Sequence, residues 1–359
     1  MAEGRIEKLN EKAEAALREL GPDHPGTLDA RAEWARALGE EGRTAEAAAA
    51  FGELVAEYTR LLGAQHPDAL LARHNQAFCL GVSGNAVTAE ALARDVAADY
   101  VTLLGADDPE TLNARAAWAR WIGETGDAGA AVRILAPVVD SCVDVLGPVH
   151  ADTLANRHLH AHWVGRSGDV AGAASLFADI AGESEQVLGA EHPDTLTARH
   201  DYAVWTGESG DAARARDVLR SLVPDAVRAL GAGHPDTLVM RHNLAHWTGE
   251  AGDAGTARAL LESLSADSER ILGAEHPEAV NSRRALDWWT WGPKAGGKPG
   301  AEDAGGPKGP GGPDGGKSAA KTKDKSASKA KNAAEAQTGD RADDQTDDQA
   351  EDQAGANAA

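Results

Sequence analysis

The amino-acid sequence predicts an all-α fold made of stacked pairs of antiparallel helices. A phrase that starts with Leu-Gly and continues as a variant of His-Pro-Asp-Thr-Leu occurs seven times, and each occurrence begins 42 residues after the previous one. Each repeat contains helix start signals, helix stop signals and apolar residues at helical spacing. A fixed period of this length predicts a solenoid in which each repeat packs against its neighbours. The phrases begin at Leu20, Leu62, Leu104, Leu146, Leu188, Leu230 and Leu272.

The first helix of each repeat, helix A, is predicted to start at the His-Pro-Asp-Thr phrase. Proline suits the first helical position because no backbone hydrogen bond is lost there, and the next acidic residue lies at the positive end of the helix dipole. In the fifth repeat, helix A therefore runs from about Pro193 to the turn at Gly210. Because His192 and Asp194 recur in register, we interpret them as parts of the repeat and not as an active site.

The second helix, helix B, is predicted to follow the glycine of that turn. An aspartate after the glycine, Asp211 in the fifth repeat, can accept hydrogen bonds from the first helical turn. Helix B then continues for about 18 residues to the next Leu-Gly. Small residues at Ala203 and Ala215 would let helices A and B approach closely.

A repeated arginine within the apolar arc of helix A predicts an ion pair with helix B. If the hairpin folds about Gly210, Arg199 lies opposite Asp225, 26 residues later. An isolated buried charge is costly, so we expect these two side chains to pair. The alternative is that the arginine extends to solvent. The same offset joins Arg31 to Glu57, Arg73 to Asp99, Arg157 to Glu183 and Arg241 to Asp267, whereas Arg115 meets Ser141.

The two ends of the chain differ from the repeats. Residues 1–22 are predicted to form an N-terminal capping helix. Residues 23–291 are predicted to form the repeats and a C-terminal capping helix, which gives about fourteen helices in all. The aromatic cluster at Trp288, Trp289 and Trp291 is expected to close the last hydrophobic face, and the alternative is an exposed docking patch.

Residues 292–359 are predicted to form a disordered, low-complexity tail. They contain no Trp, Phe, Tyr, Leu, Ile or Val, so they cannot bury enough apolar surface to offset the loss of chain entropy. A basic run at residues 317–331 precedes an acidic run at residues 343–353. We interpret the tail as solubilising, and the alternative is that the basic run docks on the acidic solenoid and competes with ligands.

The phrase LGxxHPDTLxxRxxLA, followed by GDxxxAxxL, resembles the tetratricopeptide repeat. It is most similar to the 42-residue version found in kinesin light chains and in many actinobacterial repeat proteins. The resemblance covers residues 1 to about 291 and implies a right-handed superhelical solenoid. One departure is that the helix A aromatic is shifted by one residue. We interpret these aromatics as packing residues, with a partly exposed strip as the alternative: Trp121, Trp163, Trp205, Trp247 and Trp289.

The resemblance implies that the protein binds a peptide or partner protein in a concave groove lined by the A helices. The candidate binding residues are those of helix A that lie off its packing arc. Asparagines in this family hold an extended peptide by its backbone, and Asn75 and Asn243 match that role. The predicted groove residues are His74, Asn75, Arg120, His158, His162, His200, Asp201, Glu208, His242, Asn243 and His246.

Charge and motif content restrict the expected partner and chemistry. The net charge is −22, which repels nucleic acid and anionic membranes and favours a protein partner of basic or mixed charge. Because histidine titrates near neutral pH, binding through these histidines is expected to depend on pH. The sequence contains no P-loop and no G-x-S-x-G motif, so we expect neither a cofactor nor enzymatic activity. A metal site at the phrase RHLHAH, residues 157–162, is the alternative.

These observations together predict a scaffold or adaptor protein. The alternative is a regulatory or sensor subunit of a separately encoded enzyme. The N-terminus lacks an apolar signal core and no apolar run is long enough to span a membrane, so we expect a cytoplasmic protein. A preference for arginine over lysine before the tail suggests a bacterial source.

Overall fold

The structure is a computed structural model that describes residues 2–291, and this range contains fourteen α-helices and no strand. The all-α fold predicted from the period is thus confirmed, while the predicted disordered tail, residues 292–359, lies outside the described residues. Helices of 19 residues alternate with helices of 15 or 16 residues. The helices are α1 (Ala2–Leu20), α2 (Pro25–Glu40), α3 (Thr44–Leu62), α4 (Pro67–Val82), α5 (Ala86–Leu104), α6 (Pro109–Glu124), α7 (Ala128–Leu146), α8 (Ala151–Arg166), α9 (Val170–Leu188), α10 (Pro193–Glu208), α11 (Ala212–Leu230), α12 (Pro235–Glu250), α13 (Ala254–Leu272) and α14 (Pro277–Trp291).

The described part divides into two compact units. The first contains α1 to α6 and ends at Asp127, and the second contains α7 to α14 and starts at Ala128. Within each unit, every helix packs against the next one along the chain. The even-numbered helices, which are the A helices, also contact one another. We call the surface formed by the A helices of one unit its A surface. No described helix combines the length and the apolar character needed to cross a membrane.

The recurrent histidine of each repeat caps helix A. Its Nδ1 accepts a hydrogen bond from the backbone N–H two residues later, at 3.0–3.3 Å. In the third repeat Asp108 stands in this place, and its carboxylate accepts the same bond from Glu110 at 3.1 Å. Since aspartate can replace histidine without loss of the bond, capping is the role that this position requires. The interpretation of His192 as part of the repeat is confirmed. The capping histidines are His24, His66, His150, His192, His234 and His276.

Glycines with positive φ end the helices as predicted. Gly210, which follows α10, has a φ of 102°, and Gly189, which follows α9, has a φ of 92°. A side chain at either position would be strained in this left-handed region. Directly after Gly210, the carboxylate of Asp211 accepts a hydrogen bond from the backbone N–H of Arg214 at 3.0 Å and so caps α11.

The recurrent tryptophan of one A helix packs against a glycine inside the previous A helix. A Cβ atom added to Gly165 on α8 would lie only 2.3 Å from the ring of Trp205 on α10, so no other residue fits there without a shift. The tryptophans at this position are 4–6% exposed on α6, α8, α10 and α12, which confirms their packing role and shows that the exposed-strip alternative is wrong for them. The pairs are Gly81 with Trp121, Gly165 with Trp205, Gly207 with Trp247 and Gly249 with Trp289.

Four of the five predicted arginine–carboxylate pairs are present. Their N–O distances are 2.7–2.8 Å and the arginine side chains are 11–18% exposed, so the solvent-extended alternative is wrong for these four. The prediction of the fifth pair, Arg31 with Glu57, is wrong. Arg31 contacts Glu53 at 2.7 Å, and Glu57 pairs with Arg60 from the same helix at 2.7 Å. The four pairs are Arg73 with Asp99, Arg157 with Glu183, Arg199 with Asp225 and Arg241 with Asp267.

The tryptophans of α14 differ in how far they are buried. Trp289 is half-buried, and its ring lies against Gly249 of α12. This contact supports the prediction that the cluster closes the last apolar face. Trp288 is also half-buried, whereas Trp291 is 68% exposed. For Trp291 the docking-patch alternative stays a prediction.

We predict that Gly165→Ala lowers the free energy of unfolding by about 1–3 kcal/mol, because the new methyl group overlaps the ring of Trp205. The matched control is Gly182→Ala on α9, where a Cβ meets no atom within 4 Å. This control should be neutral or stabilising by up to about 1 kcal/mol, since alanine favours the helix over glycine. Urea unfolding monitored by circular dichroism measures both. Equal stability of the two variants would contradict the packing argument.

We predict that Asp225→Asn destabilises the protein by about 1–3 kcal/mol, because the largely buried guanidinium of Arg199 loses its charged partner. Asp217→Asn is the control on the same helix. Its carboxylate pairs with Arg216 and Arg220, but it is 56% exposed, so its loss should cost less than about 0.5 kcal/mol. Thermal melts compare the two. An unchanged melting temperature for Asp225→Asn would show that the pair does not stabilise the hairpin.

Candidate functional site

The predicted groove residues are divided between the two units, and each unit has a different A surface. In the first unit, the guanidinium carbon of Arg120 lies 5.1 Å from the centroid of the Trp121 ring and 5.8 Å from that of Phe78. This stacking is a favourable cation–π contact. Burial lowers the pKa of Arg120, and the nearby charge of Glu124 opposes that effect. Arginine stays protonated at physiological pH even so, which leaves a cation between two aromatic rings.

The other two predicted residues of the first unit lie on α4. Burial lowers the pKa of His74, which favours its neutral form. Asn75 is half-buried. The first unit therefore presents a neutral imidazole and an amide on α4, with a stacked guanidinium on α6.

In the second unit, four of the predicted residues form one hydrogen-bonded chain across three A helices. The carboxylate of Asp201 on α10 lies between two imidazoles, 3.4 Å from Nδ1 of His158 on α8 and 3.2 Å from Nδ1 of His200. The other ring nitrogen of His200 is 2.8 Å from Nδ2 of Asn243 on α12. We call these four residues the His–Asp–His–Asn chain. It connects three successive repeats through polar side chains.

The donors and acceptors of the chain fit one arrangement of protons when His200 is neutral. The amide nitrogen of Asn243 can only donate, so Nε2 of His200 accepts and its Nδ1 carries the hydrogen. That hydrogen is donated to Asp201. Burial alone would raise the pKa of Asp201, but the hydrogen bonds and positive charge of His158 and His200 lower it to about 2. The carboxylate is therefore ionised at neutral pH.

Most of the predicted groove residues of the second unit are not freely accessible. His200, His242, Asn243 and His246 are buried. His158 and His162 are half-buried, and Glu208 is exposed. This burial follows from the tryptophan–glycine contact, because A helices that approach so closely cover one another's side chains. The role of these residues in ligand binding stays a prediction.

Several histidines of this surface pack against aromatic rings. The ring of His162 lies 5.0 Å from that of Trp163, and the ring of His246 lies 4.8 Å from that of Trp247, both edge to face. His158 meets Phe177 of α9 at 5.3 Å in the same geometry. These contacts fix the ring positions next to the His–Asp–His–Asn chain.

Within residues 2–291, no group of three or more His, Cys, Asp or Glu side chains is arranged to hold a metal ion. The histidines of the phrase RHLHAH have different neighbours. His158 faces Asp201, and His162 packs on Trp163. Burial lowers the pKa of His160, and the nearby charge of Asp140 opposes that effect. The geometry of the described residues therefore gives the metal-site alternative no support.

The partners of Asp201 were not predicted from the sequence, although the sequence contains a signal for them. His158 precedes Asp201 by 43 residues, and His200 precedes Asn243 by the same number, which is one repeat plus one residue. Side chains at this offset face each other between neighbouring A helices. A search for polar pairs at this offset would have found the chain.

Comparisons with known proteins agree with the geometry. Residues 27–68 and 237–278 match a family model described as tetratricopeptide repeat. A candidate kinesin light chain of Podosopora anserina with nearly identical TPR-like repeats is 26% identical, with a TM-score of 0.53, over 57% of this chain and 97% of its own. BtubC (BKLC) from P. vanneervenii is 16% identical, with a TM-score of 0.55, over 65% of this chain and 94% of its own, and shows the fold alone. None of the curated proteins compared with the chain matches it.

We predict that Asp201→Asn lowers the free energy of unfolding at neutral pH by about 2 kcal/mol, because the ionised carboxylate stabilises the fold. The folded-state pKa of about 2 lies below the ordinary value of 3.8. The stabilisation is therefore complete above about pH 4 and is lost as the pH falls through about 2.

Urea unfolding of both proteins at a series of pH values tests this linkage. The difference between wild type and Asp201→Asn should narrow below about pH 4. Asp179→Asn, at an exposed position on α9, is the control and should show a small difference at every pH. A difference for Asp201→Asn that stays constant with pH would exclude the depressed pKa.

Proposed function

We propose that the protein is a scaffold or adaptor that binds a peptide or partner protein. The basis is that the chain is built from tetratricopeptide repeats of the kinesin-light-chain-like type. The observation that carries this proposal is the contact between successive A helices within each unit. Side chains at equivalent positions of these helices stand next to each other, so they form a continuous surface that is longer than any single repeat. A surface of this kind suits an extended ligand.

The charge of the second unit supports a basic or mixed partner. The arginines of its A helices that pair with helix B, Arg157, Arg199 and Arg241, are neutralised there by carboxylates. The A surface of the same unit carries the ionised Asp201, and the exposed Glu208 and Glu250 lie at the C-terminal ends of α10 and α12. As parts of the same proposal, the protein acts in the cytoplasm, does not bind nucleic acid and has no catalytic activity of its own.

Affinity capture from a native lysate of the source cells, followed by quantitative mass spectrometry, tests whether the protein is a scaffold. The bait is the full chain, as wild type or as the double variant Asp201→Asn with Glu208→Gln. The matched control is Asp179→Asn with Glu185→Gln, which removes the same charge from exposed positions of α9. We expect partners that the wild type and the control capture equally and that the groove variant captures about tenfold less.

Two further outcomes of the capture experiment have a defined meaning. Equal recovery of every protein by all three baits would contradict binding through the A surface of the second unit. Deletion of residues 292–359 should leave the captured set unchanged if the tail is solubilising. New partners after the deletion would support the alternative that the tail competes with ligands.

A further inference from the structure

We propose that the Asp201 carboxylate is the point at which the A surface of the second unit receives a cationic group of the ligand. The inference rests on the proposed function, because it names the ligand chemistry of the same surface. It predicts a partner with an exposed lysine or arginine.

The charge of Asp201 is not balanced by a fixed cation. Within the described residues, its ion pairs are with the imidazoles of His158 and His200, at 3.4 Å and 3.2 Å. The nearest arginine in sequence, Arg199, is bound to Asp225 at 2.7 Å on the side of helix B. A carboxylate held in this way keeps its negative charge when both imidazoles are neutral. A partly buried negative charge of this kind favours the arrival of a cation.

The carboxylate can also accept further hydrogen bonds and is partly accessible to solvent. Each oxygen of Asp201 accepts one hydrogen bond from an imidazole, whereas an ionised carboxylate offers about four lone-pair sites. Its side chain is 13% exposed, so a part of it faces solvent. Thr197, one turn earlier on α10, is exposed and leaves an approach along the helix. A lysine or arginine side chain can reach such a group with its end while its stem lies on the surface.

Asp201 has no charged equivalent elsewhere in the second unit. The same position is Leu159 on α8, Asn243 on α12 and Ala285 on α14, and all three are buried. Among the described A helices of this unit, a carboxylate therefore occupies this position on α10 alone. The ligand consequently needs its cationic group at one defined place in its sequence, which makes the contact a determinant of register.

The test is a selection of short displayed peptides on the immobilised full chain at about pH 7.5, followed by affinity measurements on the selected peptides. The chains compared are wild type, Asp201→Asn and the control Glu185→Gln. The control removes one exposed carboxylate from α9. Circular dichroism confirms that each variant is folded under the assay conditions.

We expect peptides selected on wild type and on Glu185→Gln to be enriched in lysine or arginine at one position. Asp201→Asn should lose this enrichment and bind the same peptides about tenfold more weakly, the usual effect of losing a charge-assisted hydrogen bond.

The outcomes separate this inference from the proposed function. If no peptide of any sequence is selected, binding by this surface is overturned and the inference falls with it. If peptides are selected but lack a basic position, or if Asp201→Asn keeps the same basic position and affinity, the scaffold stands and Asp201 is not the cation site.

Discussion

The contact between a tryptophan and a glycine of successive A helices determines the rest of each unit. The indole ring occupies the volume in which any Cβ would stand, so the two helices can approach only because one of them has a glycine there. Glycine inside a helix is unfavourable by about 1 kcal/mol relative to alanine. The burial of a tryptophan side chain exceeds this cost. The contact recurs at a fixed position and holds α4 against α6, α8 against α10, α10 against α12, and α12 against α14.

Close approach of the A helices has a chemical consequence for the polar residues beside the contact. Side chains that would face an open groove between more distant helices are covered here, and buried polar groups require partners. The second unit meets this requirement with the His–Asp–His–Asn chain, in which four side chains from three helices complete one another's hydrogen bonds. In the first unit the equivalents of His158 and His200 are His74 and Ala116, so the same chain cannot form. Arg120 stacks between aromatic rings there instead.

The sequence was sufficient to predict the features that a single repeat determines. The period, the helix boundaries, the glycine turns and four arginine–carboxylate pairs depend on residues that lie within one hairpin. The fifth pair failed because two carboxylates, Glu53 and Glu57, lie one turn apart and a second arginine competes for one of them. Contacts between repeats were harder to predict. Helical periodicity gives the face on which His200 lies but not the distance to the next helix, and that distance decides whether the side chain binds a ligand or a neighbour.

In α14, the last described helix, two positions of this contact hold different residues. The position that holds glycine on α8, α10 and α12 holds Trp291 on α14, and the position of the buried Ala245 on α12 holds the exposed Asp287. A further repeat would have to place its tryptophan where Trp291 stands and its backbone against a charged side chain. Neither is compatible with the contact that joins the earlier repeats. At these two positions α14 therefore lacks the residues that join the earlier repeats.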